Sequence, residues 1–415
     1  MTIAPWTPPN LPGLQGKGRA LALWQAKTST VTALELGDVA RMYVCGITPY
    51  DATHLGHAAT YVTFDLAGRV LRDAGHEVRY VQNVTDVDDP LLERATRDGV
   101  DWRELATSEI ELFHTDMTAL RVLPPDHHVS VVETMDHHVR TIQGLVAKGV
   151  TYTVPTPDAA EDGAQDIYLD LSTQPTFGAA SGWGREQMLE VFADRGGDPD
   201  RAGKRDALDP LLWRVERSGE PAWDAGELRR GRPGWHVECT TIALDHLGMG
   251  FDLQGGGTDL IFPHHEMSAV QAVALTDDPP FARTYAHQAM VGYDGEKMSK
   301  SKGNLVRVSD LRRAGVDPMA IRLVLLDKHY RTPWEYTDDL LDTAVKRWDR
   351  WTRALECRGD AGADELVDGI RAALADDLDS ATAVRLIDDW AAGPEVGAPS
   401  PRVTDAIDAL LGLRA

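Results

Sequence analysis

The sequence predicts an α/β protein with a doubly wound parallel sheet, a connective insertion and a C-terminal helical domain. A β-α-β pattern over residues 41–85 indicates the first half of the sheet. Strand-like runs return among helices over residues 211–292, as expected for the second half, and the pattern after Arg312 is mostly helical. Such sheets bind ligands at the carboxyl ends of their strands, so we expect the functional site there.

The β-α-β unit is defined by two apolar runs around one amphipathic helix. The run "RMYVCG" predicts a short buried strand, and "HEVRYVQNVTD" predicts the next one. Between them, Val62, Leu66 and Val70 are four residues apart, which is the spacing of a buried helix face. Gly75 suits the end of that helix. A strand, a turn, a helix and a second strand form the basic unit of a doubly wound sheet.

The remaining regions are predicted from the same patterns. Residues 101–149 have a helical pattern, whereas residues 150–200 contain shorter mixed segments separated by polar loops. The predicted regions are the first half of the sheet (1–122), a connective insertion (123–205), the second half of the sheet (206–310) and a helical C-terminal domain (311–415).

The composition of the 415 residues is that of a soluble globular protein, with 43% hydrophobic and 26% charged residues. The N-terminus does not resemble a signal peptide, and no apolar run approaches the length of a membrane span. The three cysteines are too few for a disulfide framework, so we expect a cytoplasmic protein. A formal net charge of −23 argues against nucleic acid as a partner, although an acidic protein can still carry a local basic patch.

Two short motifs point to phosphate chemistry. His54 and His57 flank Gly56 where a helix is about to begin, and a helix N-terminus with unpaired N–H groups is an anion site. Lys297 and Lys300 lie in the later segment "GEKMSKSKGN", which suits a loop that neutralises charge on a leaving phosphate. Surface histidines or solvated lysines would explain either motif alone. Their combination favours a phosphate site.

Two further histidine pairs raise the question of a metal site. His127–His128 and His137–His138 are adjacent in sequence. Adjacent helical residues point in different directions, so we expect surface histidines without a metal role.

The motifs "HLGH" and "KMSKS" resemble the signature pair of the class I aminoacyl-tRNA synthetases, which bind ATP and stabilise the transition state of adenylate formation. The segments "MYVCG", "NVTDVDD", "GRPGWHVEC" and "GGGTDLIFPHHE" resemble those of cysteinyl-tRNA synthetase in the same order. The resemblance implies a class I synthetase-type Rossmann (HUP) catalytic domain that uses ATP, with Mg²⁺. It implies catalytic roles for His54, His57, Lys297 and Lys300.

The resemblance also implies one zinc ion that holds the thiolate of substrate cysteine. The matching ligands are Cys45, Cys239 and His264. Zinc accepts sulfur and nitrogen ligands, and a catalytic zinc keeps one position open. A soft thiolate in that position discriminates cysteine from serine. Without the resemblance, buried free cysteines would be the better interpretation. Cys357 has no counterpart in the family, and we expect it to be structural.

Substrate contacts follow from the resemblance residue by residue. Trp235 is expected to form a wall of the cysteine pocket, with core packing as the alternative, and Asp259 to bind ribose hydroxyls. The full expected set for cysteine and the adenylate is Cys45, Gly46, Ile47, Thr48, Thr60, Asn83, Val84, Thr85, Trp235, Gly257, Thr258, Asp259 and Val291.

Three departures separate the chain from the cysteinyl-tRNA synthetases. The part after Ser301 is short and not notably basic, Ser268 replaces the glutamate that is their fourth zinc ligand, and "CGITPYDATHLGH" differs from their first motif. These features resemble the cysteine:glucosaminyl-inositol ligases of mycothiol biosynthesis, which are tRNA-independent relatives from actinobacteria. The segment "DRGGDP" also resembles theirs, with Asp194 where glutamate is usual.

This second resemblance implies an AMP-forming ligase. It would activate L-cysteine as cysteinyl-AMP and transfer it to the amine of glucosaminyl-inositol, forming an amide. We expect only small-molecule partners, no tRNA, no membrane and a monomer. A cysteinyl-tRNA synthetase is the main alternative, and the short acidic C-terminal part argues against it. A catalytically dead paralogue is disfavoured because both motifs and the zinc positions are intact.

We predict that Lys300→Ala lowers kcat for adenylation by at least about two orders of magnitude, the scale expected for one preorganised charge contact. The loop is expected to act on the transition state rather than on ATP affinity. Steady-state pyrophosphate exchange measures both parameters. A variant in which only the KM for ATP changes would contradict this prediction.

Overall fold

A five-stranded parallel sheet forms the centre of the computed structural model, which describes residues 3–26, 28–51, 53–293, 295–297 and 304–415, without the side chains of residues 296 and 297. The strands are β1 (Ala22–Gln25), β2 (Thr30–Ala33), β3 (Val39–Val44), β4 (Glu77–Val84), β5 (His127–Ser130), β6 (Thr151–Pro155), β7 (Gln165–Leu169), β8 (Leu211–Val215), β9 (Gly231–Pro233), β10 (Phe251–Gly257), β11 (Ala282–Gln288), β12 (Val291–Tyr293), β13 (Glu296–Lys297) and β14 (Trp334–Tyr336).

The helices alternate with these strands in the first part of the chain and follow one another at its end. They are α1 (Leu55–Asp73), α2 (Asp89–Asp98), α3 (Trp102–Ala119), α4 (Met135–Ala147), α5 (Arg185–Phe192), α6 (Trp235–Leu247), α7 (Glu266–Thr276), α8 (Val308–Arg313), α9 (Pro318–Leu326), α10 (Asp338–Cys357), α11 (Ala363–Ala375), α12 (Ser380–Ala391) and α13 (Pro401–Leu411).

The central sheet has the strand order β11-β10-β3-β4-β5, and all its neighbouring strands are parallel. Within this sheet the chain runs from β3 through β4 to β5 at one edge, and later returns to place β10 on the other side of β3. The order therefore reverses between β3 and β10, which is where doubly wound sheets bind ligands. The predicted parallel α/β architecture is confirmed.

Helix α1 is the best predicted element of the fold. Val62, Leu66 and Val70 are all buried, as their spacing indicates. The helix is capped by Ala74, and Gly75 follows with φ +93°, a backbone conformation that favours glycine.

The region over residues 101–149 departs from the all-helical prediction. Strand β5 lies between α3 and α4 and forms an edge of the central sheet. It has only four residues and begins with a histidine pair, so its sequence carries little strand signal. The prediction of surface histidines is wrong for His128 and His138, which are 1% and 0% exposed. Burial lowers the pKa of each to about 3, so both imidazoles are neutral.

A second sheet, antiparallel and four-stranded, has the order β6-β7-β8-β9. Strands β6 and β7 fall within the predicted connective insertion, whereas β8 and β9 lie beyond residue 205, where that region was predicted to end. The division of the chain into four regions remains a prediction.

The helical pattern predicted after Arg312 is present in α9 to α13. Trp348, Trp351 and Leu355 form the buried face of α10. The short strand β14 interrupts the helices and pairs with β12. Among the described helices, none has both the length and the apolar character that a bilayer crossing requires.

A buried ionic cluster fastens the C-terminal helices to α1. Asp65, Arg69 and Arg322 have fully buried side chains, and the Asp65 carboxylate accepts from both guanidinium groups. The same carboxylate accepts from the Leu123 N–H at 2.8 Å, and Arg322 Nε donates to the Leu411 carbonyl at 2.7 Å. Burial alone would raise the pKa of Asp65, but the charges of the two arginines outweigh it and lower that pKa.

We expect Asp65→Asn to lower the free energy of unfolding by about 3–5 kcal/mol, because it leaves two buried guanidinium groups without their counter-charge. Chemical denaturation followed by circular dichroism measures this change. The matched control is Asp364→Asn, whose partner Arg402 lies with it at the surface. Equal losses in the two variants would contradict a special role for the buried cluster.

Candidate active site

A cavity of about 370 Å³ opens at the carboxyl ends of β3, β10 and β11. It lies at the point where the strand order reverses, as the parallel sheet predicts. The predicted catalytic and binding residues that line it are Cys45, Gly46, Ile47, Thr48, His54, His57, Thr60, Trp235, Gly257, Asp259 and Val291.

The turn after β3 is fixed from behind by the end of β4. The Gly46 N–H donates to Asn83 Oδ1 at 2.8 Å, and the Thr85 N–H donates to the Ile47 carbonyl at 3.0 Å. A Cβ on Gly46 would lie 1.6 Å from the Asn83 carbonyl oxygen, so only glycine fits. Asn83, Val84 and Thr85 are buried and lie outside the described cavity lining. Their position supports the turn, and a direct substrate contact by them remains a prediction.

The two motif histidines lie at the N-terminus of α1. His54 Nδ1 accepts from the N–H groups of Gly56 and His57 at 3.1 and 3.4 Å, so a neutral His54 ring carries its proton on Nε2. The two imidazole rings stack with centroids 3.8 Å apart. A Cβ on Gly56 would lie 2.8 Å from the His54 ring, so this capping arrangement requires the glycine. The Leu55 N–H donates to the Val306 carbonyl at 2.9 Å, which brings the chain after the lysine motif beside the helix start.

The lysine motif lies largely outside the described residues. Lys297 belongs to β13, which forms a hairpin with β12, and its side chain is not described. Lys300 lies entirely outside the described residues. The preceding strand β12 begins with Val291 at the cavity. Asn304 Nδ2 donates to the Tyr293 carbonyl at 3.2 Å, so the described ends of this segment meet close to the same cavity.

Cys45, Cys239 and His264 converge from three separate parts of the chain. Their ligand atoms all lie within 4.8 Å of one another, and all three side chains are buried. Burial and the neighbouring Cys239 thiol raise the pKa of Cys45 and so disfavour its thiolate form. A bound cation would stabilise that thiolate. Gln254 Nε2 and His265 Nε2 lie 3.4 and 3.3 Å from Cys45 Sγ. Two sulfurs and one imidazole fit a zinc site with an open position.

Ser268 lies one helical turn after His264 and points at helix α6. Its hydroxyl donates to the His236 carbonyl at 3.1 Å, and Thr240 Oγ1 donates to the Ser268 carbonyl at 3.2 Å. The His236 ring contacts His264, with their Nδ1 atoms 3.1 Å apart. Ser268 therefore joins α7 to α6. The imidazole of His236 orients His264.

Trp235 and Asp259 both line the cavity. The Trp235 ring packs on the His264 ring, with centroids 4.4 Å apart, so it borders the three-ligand cluster. Gly257 and Asp259 line the cavity, and a Cβ on Gly257 would lie 2.5 Å from Asp259 Oδ1. Thr258 begins the 3₁₀ turn Thr258–Leu260 and lies outside the described lining.

The sequence analysis missed several residues that line the cavity. Tyr50 and Asp51 lie four and three residues before His54, and Leu305 lies shortly after the lysine motif, so closeness to these motifs in the sequence could have indicated them. Gln288 ends β11 and accepts from the Thr63 hydroxyl at 2.7 Å, and only the pairing of the parallel strands places it here. The others are Tyr61, Leu260, Ala289 and Met290.

Comparison with known proteins first establishes the class. A family model described as tRNA synthetases class I (C) catalytic domain matches residues 31–346. The structure resembles Mycobacterium tuberculosis methionyl-tRNA synthetase in complex with methionyl-adenylate, with a TM-score of 0.58, 17% identity and coverage of 90% and 88% of the two chains. It also resembles a putative arginyl tRNA synthetase from Campylobacter jejuni, with a TM-score of 0.56, 14% identity and coverage of 91% and 93%. The fold is that of a class I synthetase catalytic domain, as predicted.

The curated relatives define a narrower group. One relative, from Kytococcus sedentarius, is named L-cysteine:1D-myo-inositol 2-amino-2-deoxy-alpha-D-glucopyranoside ligase. It is 56% identical to this chain, over 98% of this chain and 99% of its own length. The proteins of that name in Streptomyces griseus and Thermobifida fusca are each 55% identical, over 98% and 100% of this chain and 99% of their own length. The chain belongs to this ligase family.

We predict that the wild-type protein holds about one zinc ion per chain, because the three-ligand set matches a catalytic zinc site. Cys239→Ala should lose the zinc, since two remaining ligands bind it weakly. The control is Cys357→Ala, whose thiol donates to the Arg353 carbonyl at the end of α10. Elemental analysis after gel filtration measures the metal content. Retention of zinc by purified Cys239→Ala would contradict the assignment.

Proposed function

We propose that the protein is an AMP-forming ligase that joins L-cysteine to the amine of 1D-myo-inositol 2-amino-2-deoxy-α-D-glucopyranoside, a step of mycothiol biosynthesis. The observation that carries the proposal is that two sites meet at one cavity: the Cys45, Cys239 and His264 cluster, which reaches the cavity through Cys45, and the His54–His57 pair, which lines it. The first suits a thiol substrate and the second suits a phosphate. The names of the full-length relatives supply the acceptor.

In the first half-reaction, a carboxylate oxygen of L-cysteine attacks the α-phosphate of ATP and pyrophosphate leaves. The first N–H groups of α1 already donate to His54 Nδ1 and to the Val306 carbonyl, so the helix end is proposed to attract the phosphate oxygens through its positive dipole. The Nε2–H of His54 is proposed to donate to one of these oxygens. His57, Lys297 and Lys300 are proposed to stabilise the charge that develops on the leaving pyrophosphate. We expect ATP to carry Mg²⁺.

Cysteine selection is proposed to occur at the three-ligand cluster. Cys45, Cys239 and His264 would hold zinc, which would bind the substrate as its thiolate and so select against serine. Trp235 closes the side of this pocket through its contact with His264. Gln254 Nε2 lies within hydrogen-bonding distance of Cys45 Sγ and fixes that ligand from behind.

In the second half-reaction, the neutral amine attacks the carbonyl of cysteinyl-AMP. The amide C–N bond forms, the C–O bond to AMP breaks and the amine loses a proton. AMP is already a good leaving group, so the protein mainly has to orient the amine against the carbonyl. Asp259 is proposed to bind the ribose and to keep the adenylate still during this attack.

Cysteinyl-tRNA synthetase is the second candidate, favoured by the match of residues 31–346 to a synthetase catalytic domain. The ligase is better supported, because relatives with that name match 98% or more of the chain at 55–56% identity. A monomer that works in the cytoplasm remains our expectation.

The acceptor assay tests the proposed function. Purified protein with L-cysteine and ATP should release AMP much faster when glucosaminyl-inositol is added, and the cysteinyl amide should appear at the same rate. Added tRNA should have no effect. His57→Ala serves as the control, because its AMP release should fall with either acceptor. Cysteinylated tRNA formed at the rate of AMP release would instead establish the synthetase.

A further inference from the structure

The segment of residues 194–199, "DRGGDP", follows α5 and contacts the turn that carries Asp259. Arg195 Nη1 donates to the Asp259 carbonyl at 3.0 Å and to the Phe262 carbonyl at 2.7 Å. One guanidinium nitrogen therefore joins two carbonyls that are three residues apart. Hydrogen bonds from a charged donor are stronger than neutral ones, so this contact restrains the backbone between the two carbonyls.

A second set of contacts joins the stretch after Asp259 to residues 178–183, which belong to the same region as Arg195. The Glu266 carboxylate, at the start of α7, accepts from the N–H groups of Gly178, Ala180 and Ser181 at 2.7, 3.1 and 2.7 Å. The Phe262 ring is fully buried and stacks on Trp183, with centroids 6.1 Å apart. Residues 259–266 are therefore held from both ends by the region that follows β7.

The segment that carries Arg195 is itself firmly built. Lys204 Nζ donates to Asp198 Oδ1 at 2.7 Å, and the Tyr168 hydroxyl donates to Asp198 Oδ2 at 2.5 Å. A Cβ on Gly197 would lie 2.6 Å from the Phe192 ring, so that position requires glycine. Gly196 has φ +83° and faces the wall residue Trp235, at 3.7 Å from the position of a Cβ. These contacts fix the backbone that carries Arg195, so its guanidinium can hold the backbone of residues 259–262 in place.

The restrained stretch carries one residue for each half of the adenylate site. Asp259 lines the cavity, and His264 follows two residues after Phe262 and belongs to the three-ligand cluster. A displacement of the backbone between residues 259 and 262 would move both side chains together. We propose that Arg195 is a positioning residue that holds Asp259 and His264 in register, so that its contact links the position of the ATP subsite to that of the cysteine subsite. This inference rests on the proposed function.

The experiment compares Arg195→Met with Arg195→Lys. Met retains much of the apolar stem but has no donor, whereas Lys retains an ammonium that can donate to both carbonyls. Cysteine-dependent pyrophosphate exchange gives the KM values for ATP and L-cysteine and the kcat. Zinc release to a chelator, followed in the absence of substrates, gives a readout that does not depend on activity.

Arg195→Met is expected to raise both KM values by about tenfold or more, the scale of losing charge-assisted hydrogen bonds, and to release zinc faster. Arg195→Lys should recover part of each loss. The control is Arg185→Met, on α5 of the same region, whose guanidinium pairs with Asp206 at 2.9 Å near the surface. That variant should behave as the wild type in every measurement.

The inference is overturned if Arg195→Met keeps the wild-type KM values and zinc release. It is also overturned if its losses match those of Arg185→Met, or if Arg195→Lys shows no recovery. Failure of the proposed function is a different result, namely wild-type protein without cysteine-dependent exchange. In that case the zinc-release comparison still decides whether Arg195 positions His264.

Discussion

The close approach of Gly46 to the end of β4 is the constraint on which the rest of the site depends. β3 and β4 are paired in parallel up to Val44 and Gln82, so the next residues of both strands reach the same edge. Because a Cβ on Gly46 would lie 1.6 Å from the Asn83 carbonyl oxygen, the turn can pass there only as glycine. The same turn faces Cys45 towards β10 and leads the chain to the start of α1. One steric condition thus fixes the position of both Cys45 and the start of α1.

The return strand completes the site from the opposite side. The Cys45 N–H donates to the Gly255 carbonyl at 3.1 Å, so the end of β10 is registered directly on the first half of the sheet. A Cβ on Gly255 would lie 2.5 Å from the Phe64 ring, which explains the start of the glycine run. Helix α6 then supplies Cys239, and the turn that precedes α7 supplies His264. The three residues are distant in the sequence because each comes from a different element of the fold.

The parts of this arrangement that were predictable are those with strong local signals. The spacing of Val62, Leu66 and Val70 predicted α1, and the HLGH motif lies at its N-terminus as expected. The anion-binding role of that helix end remains a prediction. The three-ligand cluster came only from resemblance, since no local pattern joins Cys45 to Cys239 and His264, and the structure now shows that the three converge.

The parts that sequence reasoning missed depend on tertiary contacts. Strand β5 is four residues long and polar at its start, so its sheet position comes from pairing with β4. His128 and His138 are buried although paired histidines usually indicate a surface. The support of the turn by Asn83 and the bridge made by Arg195 join residues far apart in the sequence, and neither leaves a pattern that spacing could reveal.

The central claim is that the Cys45, Cys239 and His264 cluster selects cysteine by binding its sulfur to zinc. X-ray absorption at the zinc edge, on purified protein before and after addition of L-cysteine, tests it most directly. The account predicts two sulfur ligands and one imidazole nitrogen without cysteine, and a third sulfur with it. L-Serine should leave the sulfur count unchanged. A sulfur count that stays the same after cysteine is added would contradict the account.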